Sequence, residues 1–252
     1  AVHLHYDQYA EIMPHLKCEK KMITSHYPYL ENPEPQYVFL YDLLKRSESH
    51  VVSLSDRIKK EFVARGIDST DVSVLPCGID TELYTLDETD VLYPDRSIVV
   101  GKIEPRKRQT FLQHKDLNID FIGNNADSSF DELDPHYLGE QSKQDIMDNL
   151  TAYASMVLLS SGEAHPFVCL EGMAAGLGLV LSEQSTANLD VSQPFITVIP
   201  DNKLDDTTYL NQKIKENRKI SLSMRKEIKK YCLDNFDWSS IIKQYKSIIE
   251  SI

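Results

Sequence analysis

The chain has 252 residues, enough for one large domain or two smaller ones, and its 41% apolar and 26% charged residues place it among ordinary globular chains rather than disordered ones. Its 39 acidic against 27 basic side chains leave a formal charge of −12, which argues against general nucleic-acid binding, because phosphate contacts need clustered Lys and Arg. Cys18, Cys77, Cys169 and Cys232 form no CxxC pair, which argues against a zinc site or a disulfide scaffold, and no apolar run reaches the roughly 20 residues that span a bilayer.

In chain order, Val2-His3-Leu4-His5 reads as a short strand running into a polar loop, and Lys21 to Ser25 as a second strand followed by His26-Tyr27-Pro28-Tyr29. Glu31 to Pro35 is a loop. Val38, Leu40, Tyr41 and Leu44 recur at helical spacing, so Tyr37 to Ser47 is expected to be a helix. His50 to Leu54 is a buried strand. Ser55-Asp56 signals an N-cap for a helix over Arg57 to Arg65, which Gly66 closes, and Val72 to Leu75 is the next strand. The acidic stretch 85–96 is the candidate linker between two lobes.

After it, strands are expected at Ser97 to Val100, Ile119 to Ile122, Met156 to Leu159, Leu177 to Leu181 and Phe195 to Ile199. Helices are expected from Arg108 to His114, Lys143 to Tyr153 and Phe167 to Ala175, with Thr207 to Cys232 and Ser239 to Ile252 mostly helical. The stretch from Gly123 to Glu132 is a loop. Short strands alternating with helices predict parallel sheets with right-handed crossovers, an α/β class of two Rossmann-like lobes.

Two stretches carry candidate chemistry. Ser160 to Gly176, SSGEAHPFVCLEGMAAG, follows a strand directly, and in a parallel sheet ligands bind at the carboxyl ends of strands. Pro166 suits the first turn of the next helix, whose free Phe167 and Val168 amides favour a phosphate. Glu163 in the loop and Glu171 one turn into the helix could flank that phosphate, one reaching sugar hydroxyls and the other a ribose. Spacing alone favours a capping carboxylate and a solvated helix glutamate, since two glutamates eight apart are common; the ordered strand, Ser-Ser, Glu, Pro, Glu and small-residue helix shifts the balance. The second stretch, Gly101 to Arg108 (GKIEPRKR), sets Lys102, Arg106, Lys107 and Arg108 after a strand, an anion site suited to a diphosphate. A solvated basic turn fits it equally well.

At these residues the sequence resembles the GT-B glycosyltransferases, specifically the large retaining family usually numbered four. Glu163 and Glu171 have the spacing of its Glu, seven residues, Glu signature. "YASMVLLSSGEAHPFVCLEGMAAGLGLVLSE" is similar to the run around it, and "VGKIEPRK" looks like the Gly-Arg, spacer, Lys donor-phosphate motif, with Lys102 and Lys107 in the two cation positions. "VVSLSDRIKKEF", "VSVLPCGIDTELY", "FIGNN", "YLGEQSKQDIMDNLTAYAS" and "FDWSSIIKQYKSII" resemble further family segments, the last being the terminal helix that crosses back to the first lobe. Departures are Ala164-His165-Pro166 where a glycine follows the first Glu, Cys77 for Asn, Gly178 for Pro and Gly172 for Ala. The amino-terminal lobe is also short, without the family's first strand and glycine-rich loop; a fragment, a reduced lobe or a completing partner chain would each explain that.

The resemblance implies a partial acceptor-side lobe over 1–90, a nucleotide-sugar-binding lobe over 91–236 and a returning helix over 237–252. It implies a retaining hexosyltransferase that moves a sugar from a nucleoside diphosphate sugar to a hydroxyl of a glycan or similar acceptor. No cofactor and no metal are implied beyond the donor itself. Glu163, Lys107, Lys102 and His26 are the expected catalytic residues. Glu171, Arg106, Phe167, Val168 and Gly123 are the expected donor-binding ones. His26 is equally consistent with a structural histidine at a strand end, and His3, His5 and Asp7 are set aside as a metal site. A cytoplasmic location is expected, with peripheral membrane docking as its alternative. The other readings are a non-catalytic nucleotide- or glycan-binding subunit that needs a partner chain and, less favoured, a nucleotide-sugar epimerase.

Overall fold

The computed structural model of the chain describes residues 1–27, 35–86, 89 and 91–252. The Pro28-Tyr29 pair, nearly all of the 31–35 loop and part of the 85–96 linker lie outside the described residues. The rest groups into two compact units. The first holds 1–78, 162–165 and 238–252, and the second 79–161 and 166–237.

In the first unit, strands β1 (Val2–His5), β2 (Lys21–Thr24), β3 (His50–Ser53) and β4 (Val72–Val74) form a parallel sheet in the order β1-β2-β3-β4. Parallel neighbours need crossover connections, and α1 (Pro35–Arg46) and α2 (Asp56–Ala64) supply two of them. Alternation along the strands sends Ile23, Val51 and Val72 to one face, where they bury against Tyr41, Leu44, Ile58 and Phe62. The Ser55 hydroxyl caps α2 by accepting the Ile58 N–H, and Gly66 ends the turn that follows at φ +91°. The terminal helix, α8 (Trp238–Ser251), belongs to this unit: its Tyr245 hydroxyl lies 3.0 Å from His3 Nδ1. Residues Asp7–His15, expected as a loop, form a 3₁₀ helix that buries Ala10 and Met13. Apolar contact, rather than a cap signal, holds that segment.

The second unit has β5 (Tyr93–Val100), β6 (Ile119–Ile122), β7 (Tyr153–Leu158), β8 (Gly178–Ser182) and β9 (Ile196–Ile199), all parallel, in the order β6-β5-β7-β8-β9. Every residue of β6, β7 and β8 is buried, as expected of a parallel sheet covered on both faces. The helices are α3 (Gln109–Gln113), α4 (Lys143–Asn149), α5 (Phe167–Ala174), α6 (Thr207–Ser223) and α7 (Arg225–Phe236). Buried Arg218 of α6 donates to Ser97 Oγ at 2.9 Å and to the Leu117 and Asn118 carbonyls at 2.7 Å, which ties the helix to the sheet.

Two expectations are corrected here. Strand β5 starts at Tyr93, inside the stretch read as linker. Helix α4 ends at Asn149, and a 3₁₀ turn over Leu150–Ala152 leads into β7 at Tyr153, because the run from Tyr153 is needed in the sheet core. The stretch from Thr207 to Cys232 is helical as expected, divided into α6 and α7 at Met224 (φ −127°, ψ 24°).

Candidate active site

In the second sheet the chain runs from β5 outward to β6 and then returns to β7 on the opposite flank of β5. Loops leaving the carboxyl ends of β5 and β7 therefore diverge, and such a switch point opens a crevice where ligands bind in open α/β sheets. The two stretches singled out in the sequence leave these two strands.

The backbone after β5 and β6 is bare. Gly101 (φ +138°) and Gly123 (φ +146°) sit at the ends of these strands in conformations that side chains rarely adopt, with the Gly101 N–H bonded to the Ile122 carbonyl at 2.9 Å. Lys102 is exposed, and Lys107, in the 3₁₀ turn Pro105–Lys107, is half-buried. The Lys107 ammonium folds back so that a β-carbon on Gly101 would lie 3.2 Å from Nζ. Arg106 ties the loops: its guanidinium donates to Glu104 at 2.6 Å and Ser160 Oγ at 3.2 Å, and its carbonyl accepts the Ser161 N–H at 2.8 Å. Arg108 donates to the Leu159 carbonyl at 3.1 Å and is structural.

Helix α5 begins after Pro166, which occupies the N-cap rather than the first turn and so offers no side-chain acceptor. The Cys169 N–H bonds the Pro166 carbonyl at 2.9 Å. The Phe167 and Val168 amides are among the first-turn donors that a helix leaves without an internal acceptor, at its positive end. By contrast, Ser55, Ser142 and Asp206 cap α2, α4 and α6.

Glu171 is 7% exposed. Its Oε1 accepts the Tyr84 hydroxyl at 3.0 Å and pairs with the Lys143 ammonium, and Lys143 also donates to the Tyr84 oxygen at 2.7 Å. Burial pushes the Tyr84 phenol up to about 12, so it stays a donor. Sequence reading missed both partners. Tyr84 lies 87 residues from Glu171 and Lys143 lies 28 away, and no local pattern joins them.

Glu163 and His165 lie on the 162–165 segment, which groups with the first unit, and His26 is also there. His165 is buried and accepts the Cys77 N–H at 2.9 Å through Nδ1; burial lowers its pKa from 6.5 to about 4, so it is neutral. It thus holds the turn after β4, a role that its place beside Glu163 did not suggest. His26 Nε2 lies 3.0 Å from His5 Nδ1, and burial and His5 lower its pKa. His3, His5, His26, Leu75, Cys77 and Trp238 are among the residues lining a cavity of about 420 Å³ within this unit. Among the described residues no group of three or more His, Cys, Asp or Glu could hold a metal ion, and no helix is long and apolar enough to cross a membrane.

No protein-family profile and no curated protein sequence matches the chain. Solved structures do. The chain is similar to sucrose-phosphate synthase from Thermosynechococcus elongatus (TM-score 0.76, 15% identity, 98% of this chain and 72% of that one). It is similar to TarM (TM-score 0.75, 10% identity, 98% and 54%) and to Anabaena HepE in complex with UDP-glucose (TM-score 0.74, 17% identity, 92% and 72%). The fold is that of the GT-B glycosyltransferases, an α/β arrangement with two parallel sheets. The chain spans between about half and three-quarters of the length of these neighbours.

Proposed function

We propose that the chain is a glycosyltransferase that moves a sugar from a nucleoside diphosphate sugar to a hydroxyl of a glycan or similar acceptor, with retention of anomeric configuration. The observation that carries the reading lies within the second unit. A buried, hydrogen-bonded carboxylate one turn into α5, the helix that follows β7, and a lysine-bearing glycine loop after β5 stand at the two strands that flank the switch point. Relatives in fold bind such ligands: HepE was solved with UDP-glucose, and the O-GlcNAc transferase GtfA with UDP and GlcNAc.

In this reading Glu171 accepts the ribose hydroxyls, and the Phe167 and Val168 amides hold the distal phosphate. Lys102 and Lys107 neutralise the leaving diphosphate where charge develops, so that no metal is required. Arg106 shapes the loop that presents them, and the bare Gly123 backbone lets the nucleotide approach. Glu163 binds hydroxyls of the donor sugar, and His26 stands on the acceptor side. The leaving phosphate takes the acceptor's proton, so no carboxylate is needed as a nucleophile, unlike the retaining glycosidases.

Thermal stability of the purified chain with UDP, GDP, ADP and dTDP at millimolar concentration tests the donor site. A nucleotide at 100 times its dissociation constant adds roughly 2.7 kcal/mol. A shift with one nucleotide, lost in Glu171→Ala and Lys107→Ala, supports the reading, and no shift with any of them overturns it. Slow hydrolysis of the matching sugar nucleotide separates an enzyme from a binding subunit that needs a partner chain.

A further inference from the structure

Lys143 stands where helix physics does not favour a cation. It is the first residue of α4, whose start is fixed by the reciprocal Ser142–Asp145 capping box, and the positive end of a helix macrodipole disfavours a positive side chain. A residue that breaks a local rule points to a compensating partner, and here the partner is Glu171. A carboxylate taken out of water needs a cation or donors to stay charged. Glu171 Oε1 has both, from Lys143 and from the Tyr84 hydroxyl.

The three groups form an ordered chain. Lys143 donates to the Tyr84 oxygen, Tyr84 donates to Glu171, and Lys143 also reaches Glu171 directly. The ammonium lies 5.3 Å from the Tyr84 ring centroid and 5.4 Å from that of Phe167, so two aromatic faces fix its position. Its side chain is still 53% exposed, within reach of a ligand arriving from solvent. Among the described residues, Glu171 Oε2 has no hydrogen-bond partner. One oxygen is thus saturated by protein donors and the other is left to accept.

We propose that Lys143, together with Tyr84, is a positioning residue for the nucleotide site: it holds the Glu171 carboxylate charged and turned so that Oε2 is presented to the vicinal hydroxyls of the nucleotide's ribose. The proposal rests on the reading that Glu171 holds the ribose. Lys143 makes no contact with the reacting atoms in this scheme. Its effect falls on binding and on the pH range over which binding survives. Without the cation, a buried carboxylate takes up a proton more readily, and a carboxylic acid is a poorer acceptor.

The test is calorimetric binding of UDP, GDP, ADP and dTDP to the wild-type chain and to Lys143→Met, Lys143→Arg and Tyr84→Phe between pH 5.5 and 8.5. Lys143→Met is expected to weaken binding of the preferred nucleotide about tenfold at pH 7.5, the loss of one charge-assisted contact on the carboxylate. Its deficit should widen as the pH falls, more steeply than in the wild type. Lys143→Arg restores both the affinity and the profile, and Tyr84→Phe falls between. Ligand-free melting of each variant reports folding separately. Wild-type affinity and pH profile in Lys143→Met overturn the proposal while leaving the donor site standing, as does a deficit that Lys143→Arg fails to rescue. Binding of no nucleotide by the wild-type chain overturns the donor-site reading and the proposal with it.

Discussion

A β-carbon on Gly123 would stand 2.1 Å from the carbonyl oxygen of Gly101. The two glycines close the ends of adjacent strands β5 and β6, and the contact leaves no room for any side chain. Gly123→Ala therefore meets two penalties, the clash with backbone and a φ of +146° that alanine adopts only under strain. A loss of more than about 2 kcal/mol in urea unfolding is expected, with loss of the nucleotide shift. Gly101→Ala should be milder, because its nearest obstacle, at 3.2 Å, is the flexible end of Lys107. Equal costs at the two positions would contradict this account.

What was legible in the sequence was whatever is local. Val2–His5, Ile119–Ile122 and the Ser55 cap lie where the pattern puts them, and the loops after β5 and β7 were found because their charged residues follow apolar strands directly. The stretch from Thr207 to Cys232 was legible as helical, though not where it divides, since no Gly or Pro marks Met224 and both flanks have helix-forming residues. The 3₁₀ helix from Asp7 was hidden because its hold is the burial of Ala10 and Met13, which is tertiary. The same limit applies within the site. Glu171 was singled out by its place in the ordered run after β7 and by the resemblance, not by its spacing to Glu163 alone, and its partners Tyr84 and Lys143, 87 and 28 residues away, left no local pattern because the fold brings them together.

Lys107 and Arg106 stand side by side in sequence and should separate in function. Arg106 bonds Glu104 and Ser160, so Arg106→Ala is expected to lower stability by about 1 kcal/mol. Lys107→Ala should weaken UDP binding while leaving binding of uridine, which lacks the diphosphate, unchanged. Calorimetry with the two ligands checks this, and parallel losses for both would assign Lys107 to the fold instead.

Asp120 of β6 is 2% exposed and gathers three donors. His136 Nδ1 lies 2.6 Å away, the Tyr153 hydroxyl 3.1 Å and the Arg96 guanidinium 3.2 Å. Burial and the carboxylate push the Tyr153 phenol up, so it remains a donor. Asp120→Ala strands the buried Tyr153 hydroxyl without its acceptor, while Arg96 and His136, each more than a third exposed, can turn to water, so a loss of about 1–3 kcal/mol is expected. Asp120→Asn keeps an acceptor and should cost less. Urea unfolding of the two variants should rank them in that order.

Stability should fall with acid for a reason located at His165. In the unfolded chain its imidazole takes a proton near 6.5, whereas in the fold burial holds it neutral down to about 4. Between those values the unfolded state binds more protons, so stability decreases as the pH drops through this window and is full above it. The shift corresponds to at most about 3 kcal/mol at pH 4. His3, held down to about 4 by burial and by His5 and His26, adds to the same slope, by less because it is half-exposed. His165→Asn places an amide oxygen near Nδ1, where it can accept the Cys77 N–H, and removes the titrating group. Its stability at pH 7.5 should lie within about 1 kcal/mol of the wild type, and its acid slope between pH 6.5 and 4 should be visibly shallower. An unchanged slope in urea unfolding across that window would place the acid sensitivity elsewhere in the chain.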